Sequence, residues 1–529
     1  MIRIARPSAP GSLAALAAAS LVLVAACSSG ATNGTGSGAE ANAEPGKPGG
    51  TAVFAMTSDP DTLMPWKATQ FQAVNVLGTV YGTLTEYDRN LGTVPGLAEK
   101  WEPSADGKTL TLTLRKGVKF TDGSEFDSAD VKFSLDAIRD EKTAAVARSA
   151  LANITEVTAT DPSTVTLALS APDAALPAGL ASVNVAMLPS ETADAAAMSA
   201  LETKPNGTGP FTFESRTPSQ SVKLKRNDAY WGEKALLDGI EFRVVPDENA
   251  IVTALKSGNV HLAAINDPLV ARTAEGGDLT VTKTPQLGYH ALQLKSTSTT
   301  QPALADLDVR LAIQCAVDRQ QVLDTAAYGE GEVTGPITAP EYKSDPTKRP
   351  CPKRDVARAK ELLAKAGKPA LTLRTIVSQG EYATSVNEAQ NLKSQLAEAG
   401  ITLDLEVLDI SAFVDRWVAG DFEAAVALNG GRPDPDTMYG RYFTSKGNLQ
   451  AVAGYSSPEL DALFAEGKAT QDEAKRKEVY AKVSQHLEDN AAWVWLFTGN
   501  SYTVASSKVG GFVPMSNGSL QSLRTTTIQ

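Results

Sequence analysis

The sequence predicts an α/β protein of mixed α+β character, built in two regions of different design. Three observations carry that reading. The N-terminal half holds short alternating strands bounded by Asp-Gly turns. The C-terminal half alternates amphipathic helices with strands across short glycine connections, the order of a three-layer α/β lobe. The 529 residues, 42% hydrophobic and 21% charged, are an ordinary globular composition, long enough for more than one lobe.

The elements follow in order. "GGTAVFAM" from Gly49 is a short apolar strand. "KTLTLTLRKGVKF" (Lys108–Phe120) alternates Thr with Leu at period two, between the turn dipeptides Asp106-Gly107 and Asp122-Gly123. "FDSADVKFSLDAI" reads as a helix capped by Asp127 or Ser128, with Val131, Leu135 and Ile138 on one face. "STVTLAL" (Ser163–Leu169) is a second alternating strand. Further on, Val356, Ala359, Leu362, Leu363 and Ala366 lie at helical spacing before Gly367. The strand "LTLRTIV" follows, then a helix with Val386, Ala389, Leu392 and Leu396 inward that stops at Gly400, then the strand "ITLDLEVL". No internal repeat is present.

The first residues set the compartment. "MIRIARPSAPGS" carries Arg3 and Arg6 and no acid, and Leu13–Ala26 is an apolar run of 14 residues. That is short of the ~20 residues that cross a bilayer and has the form of an export signal. It ends in Val24-Ala25-Ala26-Cys27, which resembles the bacterial lipobox; the resemblance implies cleavage before Cys27 and fatty acylation of its thiol. Residues 27–48, rich in Gly, Ser, Ala and Thr, bury almost nothing and read as a flexible tether. The "GTGSGA" within them lacks the flanking strand and helix of a dinucleotide site. The expected location is the extracytoplasmic face of the cell membrane, by a lipid anchor.

The whole chain carries 49 basic and 61 acidic residues, net −12; without residues 1–26, which hold two Arg, 47 remain against 61, net −14. With no basic run anywhere, a nucleic-acid partner is excluded. Cys315 and Cys351 are left as an even pair in an oxidising exterior, most simply a disulfide, with two isolated buried thiols as the alternative. There is no CxxC, and His261, His290 and His486 are scattered, so no metal site or cofactor is expected.

Enzyme signatures are missing. The chain has no GxSxG, no HExxH, and no SxxK with a following Lys-Thr-Gly. Three histidines are a poor supply for acid–base chemistry near neutral pH. "GEGEVTG" (Gly329–Gly335) lacks the Lys-Ser/Thr of a phosphate loop.

Several separated blocks resemble the bacterial extracellular solute-binding proteins of family 5, the peptide- and nickel-type receptors of ABC importers. They are Val94–Leu135, "NGTGPFTFES" with "VKLKRNDAYWG" (Asn206–Gly232), "LDVRLAIQCAVDRQQVL" (Leu307–Leu323), "DVARAKELLAKAG" and the closing "WVWLFTGNSYTV". The resemblance implies a type II periplasmic-binding fold: two lobes, a hinge of two crossings, and a first lobe split into two subdomains. It places a lobe I core in 49–88, 205–290 and 491–529, an accessory subdomain in 89–204, and lobe II in 291–490. It implies no catalysis, a solute held between the lobes with peptide as the default class, permease and ATPase partners, and a monomer. A secreted two-lobed hydrolase and a sensor or chaperone lipoprotein are the alternatives.

The stiff loop "LNGGRPDPDTMYG" (Leu428–Gly440) is the main site candidate. In peptide-binding members an Asp about four residues before the proline of an Asp-Pro pair grips the ligand's amine. Alignment on Asp434-Pro435 puts Gly431 there, without a side chain. Three readings stay open. Asp434 substitutes as the acid; or the amides of Gly430 and Gly431 with Arg432 receive a carboxylate or phosphate; or the loop only shapes the cleft wall. Asn429 belongs to the same segment. Trp66, Tyr81 and Trp417 are further candidate ligand contacts. Trp101 and Trp231 read as packing.

Overall fold

The computed structural model describes residues 46–379 and 384–529. The export signal, Cys27 and nearly all of the tether lie outside the described residues.

A twelve-stranded mixed sheet runs through the fold. Its main path is Ile401–Asp409, Leu371–Gln379, Ala424–Asn429, Tyr289–Leu294, Trp493–Ser506, Leu262–Ile265, Thr51–Met56, Gly239–Val244, Ser221–Arg226 and Phe211–Thr217. Leu279–Pro285 and Gly331–Val333 pair with Trp493–Ser506 off this path. The far end is parallel, with Leu371 opposite Ile401 and Thr375 opposite Ala424. Helices Ser385–Ala397 and Ile410–Ala419 supply the crossovers between its strands, and Val356–Lys365 leads into the first of them. Leu362, Leu363, Leu392 and Leu396 are buried there in one cluster with Leu373 and Leu403. Gly367 and Gly400, just past the ends of Val356–Lys365 and Ser385–Ala397, take the left-handed conformation (φ +68° and +89°) that side chains resist.

A separate four-stranded antiparallel sheet joins Ala98–Pro103, Thr109–Leu114, Thr164–Leu169 and Ile154–Asp161. Along Thr109–Leu114 each Leu is buried and each Thr half-buried, the period-two pattern of one covered face. The strand expected over Lys108–Phe120 stops at Leu114, because the chain turns through Gly117 at φ +72°. Helix Ser128–Arg139 starts on a capping box in which Asp127 and Asp130 each take a backbone amide. One hydrophobic cluster runs through this sheet and the near half of the large one, joining Leu112, Leu135 and Val165 to Phe54, Ile240 and Phe242. The near lobe is thus two sheets on a shared core.

The chain passes between the lobes twice. Strand Trp493–Ser506 spans the junction: its first residues pair with Tyr289–Leu294 and its last with Leu262–Ile265 and Leu279–Pro285. The second passage is Gln286–Gly288, between the two strands that flank it. Thr498 ties the passages together, its hydroxyl lying 2.6 Å from the carbonyl oxygens of both Gln286 and Gly288. Cys315 and Cys351 are joined by a disulfide in the far lobe, with Cα atoms 5.0 Å apart.

Candidate functional site

A cavity of about 430 Å³ is walled from both sides of the double crossing. Arg432, Pro433 and Thr437 of the stiff loop form one wall. Tyr81, Glu86, Tyr87, Tyr230 and Trp231 form the other, joined by Arg524 from the C-terminal segment. Phe71 and Val146 also line it and are themselves 73% and 44% exposed, so the lining includes apolar groups that face solvent.

The loop owes its shape to what surrounds it. Strand Ala424–Asn429 delivers it, held in register by Tyr289 opposite Asn429. At Gly431 the chain lies against Leu287, whose carbonyl oxygen would stand 1.9 Å from any Cβ placed there. The position therefore excludes every side chain. Asp434 turns inward: its carboxylate pairs with Arg476 at 2.7 Å and accepts the amide of Asp436 at 2.9 Å. Asp436 in turn pairs with Lys468 at 3.1 Å. Both acids of the loop are committed to the far lobe. Arg432 is the loop's charged group in the cavity wall.

The electrostatics of the walls differ. Burial lowers the basicity of Arg432, and the neighbouring Arg441 lowers it further, while the phenols of Tyr87 and Tyr442 oppose them. Burial raises Glu86 above the usual carboxylate range, and Arg524 and Arg115 pull it back. Burial pushes the Tyr230 hydroxyl up to about 12, with Glu86 adding to the shift and Arg524 resisting it. The guanidinium of Arg115 lies 4.6 Å from the centre of the Trp231 ring, and the indole Nε1 of Trp231 is buried without a hydrogen-bond partner among the described residues.

Of the residues singled out from the sequence, the cavity brings together Tyr81 and Arg432. Trp66 is fully buried, donating its indole N–H to the carbonyl of Ala186 at 2.8 Å. Trp417 packs in the far-lobe core and donates to Gln293 Oε1 at 2.7 Å. Asn429 is buried, with its side-chain oxygen 3.3 Å from the hydroxyl of Tyr442. Gly430 is exposed, and Gly431 and Asp434 are spent on packing and pairing. Trp231, read from the sequence as packing, lines the cavity; Trp101 packs against the near-lobe core.

Glu86, Tyr87, Tyr230 and Arg524 went unread in the sequence. One signal was available. Arg524 is the sole charged residue in Phe512–Gln529, and a lone charge in a neutral stretch asks for a partner. Among the described residues no group of three or more His, Cys, Asp or Glu is arranged to hold a metal ion, and no helix is long and apolar enough to cross a membrane.

Known proteins share this organisation. The chain is 28% identical over 456 residues to the probable di/tripeptide-binding protein 5 of Pseudomonas aeruginosa, covering 81% of this chain and 86% of that one. It is 27% identical over 482 residues to the glutathione-binding protein GsiB of Salmonella paratyphi A, covering 87% and 91%. The structure of the ABC transporter-associated periplasmic binding protein DppA from Helicobacter pylori, in complex with the peptide STSA, superposes with a TM-score of 0.78 at 25% identity, covering 91% of this chain and 98% of that one. Residues 92–450 match the family described as bacterial extracellular solute-binding proteins, family 5 Middle. With a two-lobed fold, a double crossing and a cavity walled from both sides of it, the chain belongs to the extracellular solute-binding proteins of family 5.

Proposed function

We propose that this chain is the solute-capturing component of an ABC importer, taking up a peptide or peptide-like molecule and delivering it to permease and ATPase subunits. The observation that carries the reading is the cavity with walls on both sides of the double crossing. A ligand that touches both walls favours the closed arrangement by its differential affinity, and closure is what a transporter can recognise. Micromolar capture corresponds to about −8 kcal/mol, enough to bias such an equilibrium strongly. The names of the relatives support peptide as the solute class.

The working unit in this reading is a monomer without catalytic activity, tethered to the extracytoplasmic face of the cell membrane by acyl chains on Cys27. The lipobox-like Val24-Ala25-Ala26-Cys27 supports the tether. The lobe limits in this reading are 49–88, 205–290 and 491–529 for the near core, 89–204 for its accessory part and 291–490 for the far lobe. Uptake of labelled di- to tetrapeptides by cells with and without the gene tests the function. Undiminished uptake of every peptide in the deletion strain would count against it.

A further inference from the structure

The cavity wall carries more positive charge than its acids can balance, in a protein whose overall charge is −12. Among the described residues, Arg432 has Arg441 and two neutral phenols as electrostatic neighbours. Arg441 donates to the hydroxyl of Tyr442 at 3.1 Å and lies over that ring, with no carboxylate partner among the described residues. The nearest acids of the loop are taken by Arg476 and Lys468. On the opposite wall Glu86 is shared between Arg524 and Arg115. One carboxylate thus faces cations on its own side, and Arg432 in the opposite wall has no carboxylate partner among the described residues.

Two adjacent guanidiniums without a counter-charge are costly to bury, and Arg cannot shed its proton to escape. A carboxylate entering the cavity would relieve that cost through charge-assisted hydrogen bonds to the donor fork of the guanidinium. We infer that the solute bears a carboxylate held by Arg432, with its apolar part toward Phe71 and Val146, and that a free ammonium group is not needed for capture. No unpaired acid of the stiff loop faces the cavity to grip an amine. Because Arg432 belongs to one wall and Tyr87, Tyr230 and Trp231 to the other, the same anion would tie the two together. This rests on the cavity being the solute site.

The test is thermal melting and calorimetric titration of the mature protein, as wild type, Arg432→Gln and Arg432→Lys. The first probes are tetra-alanine, its C-terminal amide and its N-acetyl form. The free acid and the N-acetyl form should raise the wild-type Tm, and the amide should not. Arg432→Gln should bind the acids at least about tenfold more weakly, with Arg432→Lys between the two. An amide that binds as well as the acid, an N-acetyl form that fails where the acid succeeds, or an Arg432→Gln protein of unchanged affinity overturns the inference. A second panel pairs non-peptide carboxylic acids, sugar acids and dicarboxylates among them, with their carboxamides. Silence in the first panel and acid-selective binding in the second removes peptides as the solute class but upholds the carboxylate. Indifference to every acid in both panels, or a preference for the carboxamides, overturns the inference.

Discussion

The carboxylate of Asp434 lies 2.7 Å from the guanidinium of Arg476, and both side chains are about 6% exposed. That pair sets what the stiff loop can offer to the cavity, since it turns the acid away from the opening and leaves the arginine two residues earlier in the wall. Removing one member strands the other in a buried site. Arg476→Leu should therefore cost about 3–5 kcal/mol of unfolding free energy. The double change with Asp434→Asn should recover part of that loss, because no ion is then left alone. Urea denaturation of wild type and the two variants measures both; Arg476→Leu within about 1 kcal/mol of wild type would refute the pairing argument.

Gly430 and Gly431 are neighbours with opposite tolerance. A Cβ at Gly431 meets the Leu287 carbonyl at 1.9 Å, whereas at Gly430 nothing lies within 4 Å. Gly431→Ala should lower stability by several kcal/mol or prevent folding, since backbone must move on both sides of the contact. Gly430→Ala should change the Tm little. Equal effects at the two sites would contradict the close approach to Leu287.

Asp436 makes the loop sensitive to pH. Burial raises its carboxyl to about 6, with Asp434 and Asp173 adding to the rise and Lys468 opposing it. The folded pKa stands above the unfolded value of about 3.9, so the folded state takes up the proton first. The stabilisation by protonation is fully present below the unfolded pKa and is lost as pH rises through about 6. Asp436→Asn cannot take up that proton. The Tm of wild type relative to Asp436→Asn should climb as pH falls from 7 to 4. A constant difference across that window would show that the group does not titrate there.

The disulfide closes a loop with a sequence separation of 36. In the chain-entropy picture such a closure stabilises by about 4 kcal/mol. The double change Cys315→Ala and Cys351→Ala should lower the denaturation midpoint accordingly, with ligand affinity held because neither cysteine lines the cavity. Identical midpoints for the oxidised protein and the double variant would remove the bond from the stability account.

Arg432→Gln carries a stability consequence apart from binding. The substitution removes a partly buried cation that lies beside another. The unliganded variant should melt no lower than wild type, and higher if the repulsion by Arg441 is costly, a case of a binding group held at the expense of stability. Circular-dichroism melts in ligand-free buffer check this. A clear drop in Tm would mean that Arg432 packs structurally.

Local patterns in the chain were enough to determine the elements that were read from it. Thr-Leu alternation marked Thr109–Leu114, helical spacing with glycine stops marked Val356–Lys365 and Ser385–Ala397, and the pair Asp127-Ser128 announced the cap of Ser128–Arg139, which the structure gives to Asp127. These depend on period and capping, which a few neighbouring residues decide. The stiffness of Leu428–Gly440 was equally plain, because proline and glycine restrict the backbone wherever they stand. What the loop presents was not. Whether Asp434 or Arg432 faces the cavity depends on Arg476, 42 positions along the chain, and Gly431 is empty because Leu287, far earlier, lies against it. Glu86, Trp231 and Arg524 meet in one wall only after the double crossing and the C-terminal segment have folded back. Short-range sterics wrote the elements into the sequence; the charge seen by a ligand was left to long-range pairing in the tertiary structure, which no local pattern encodes.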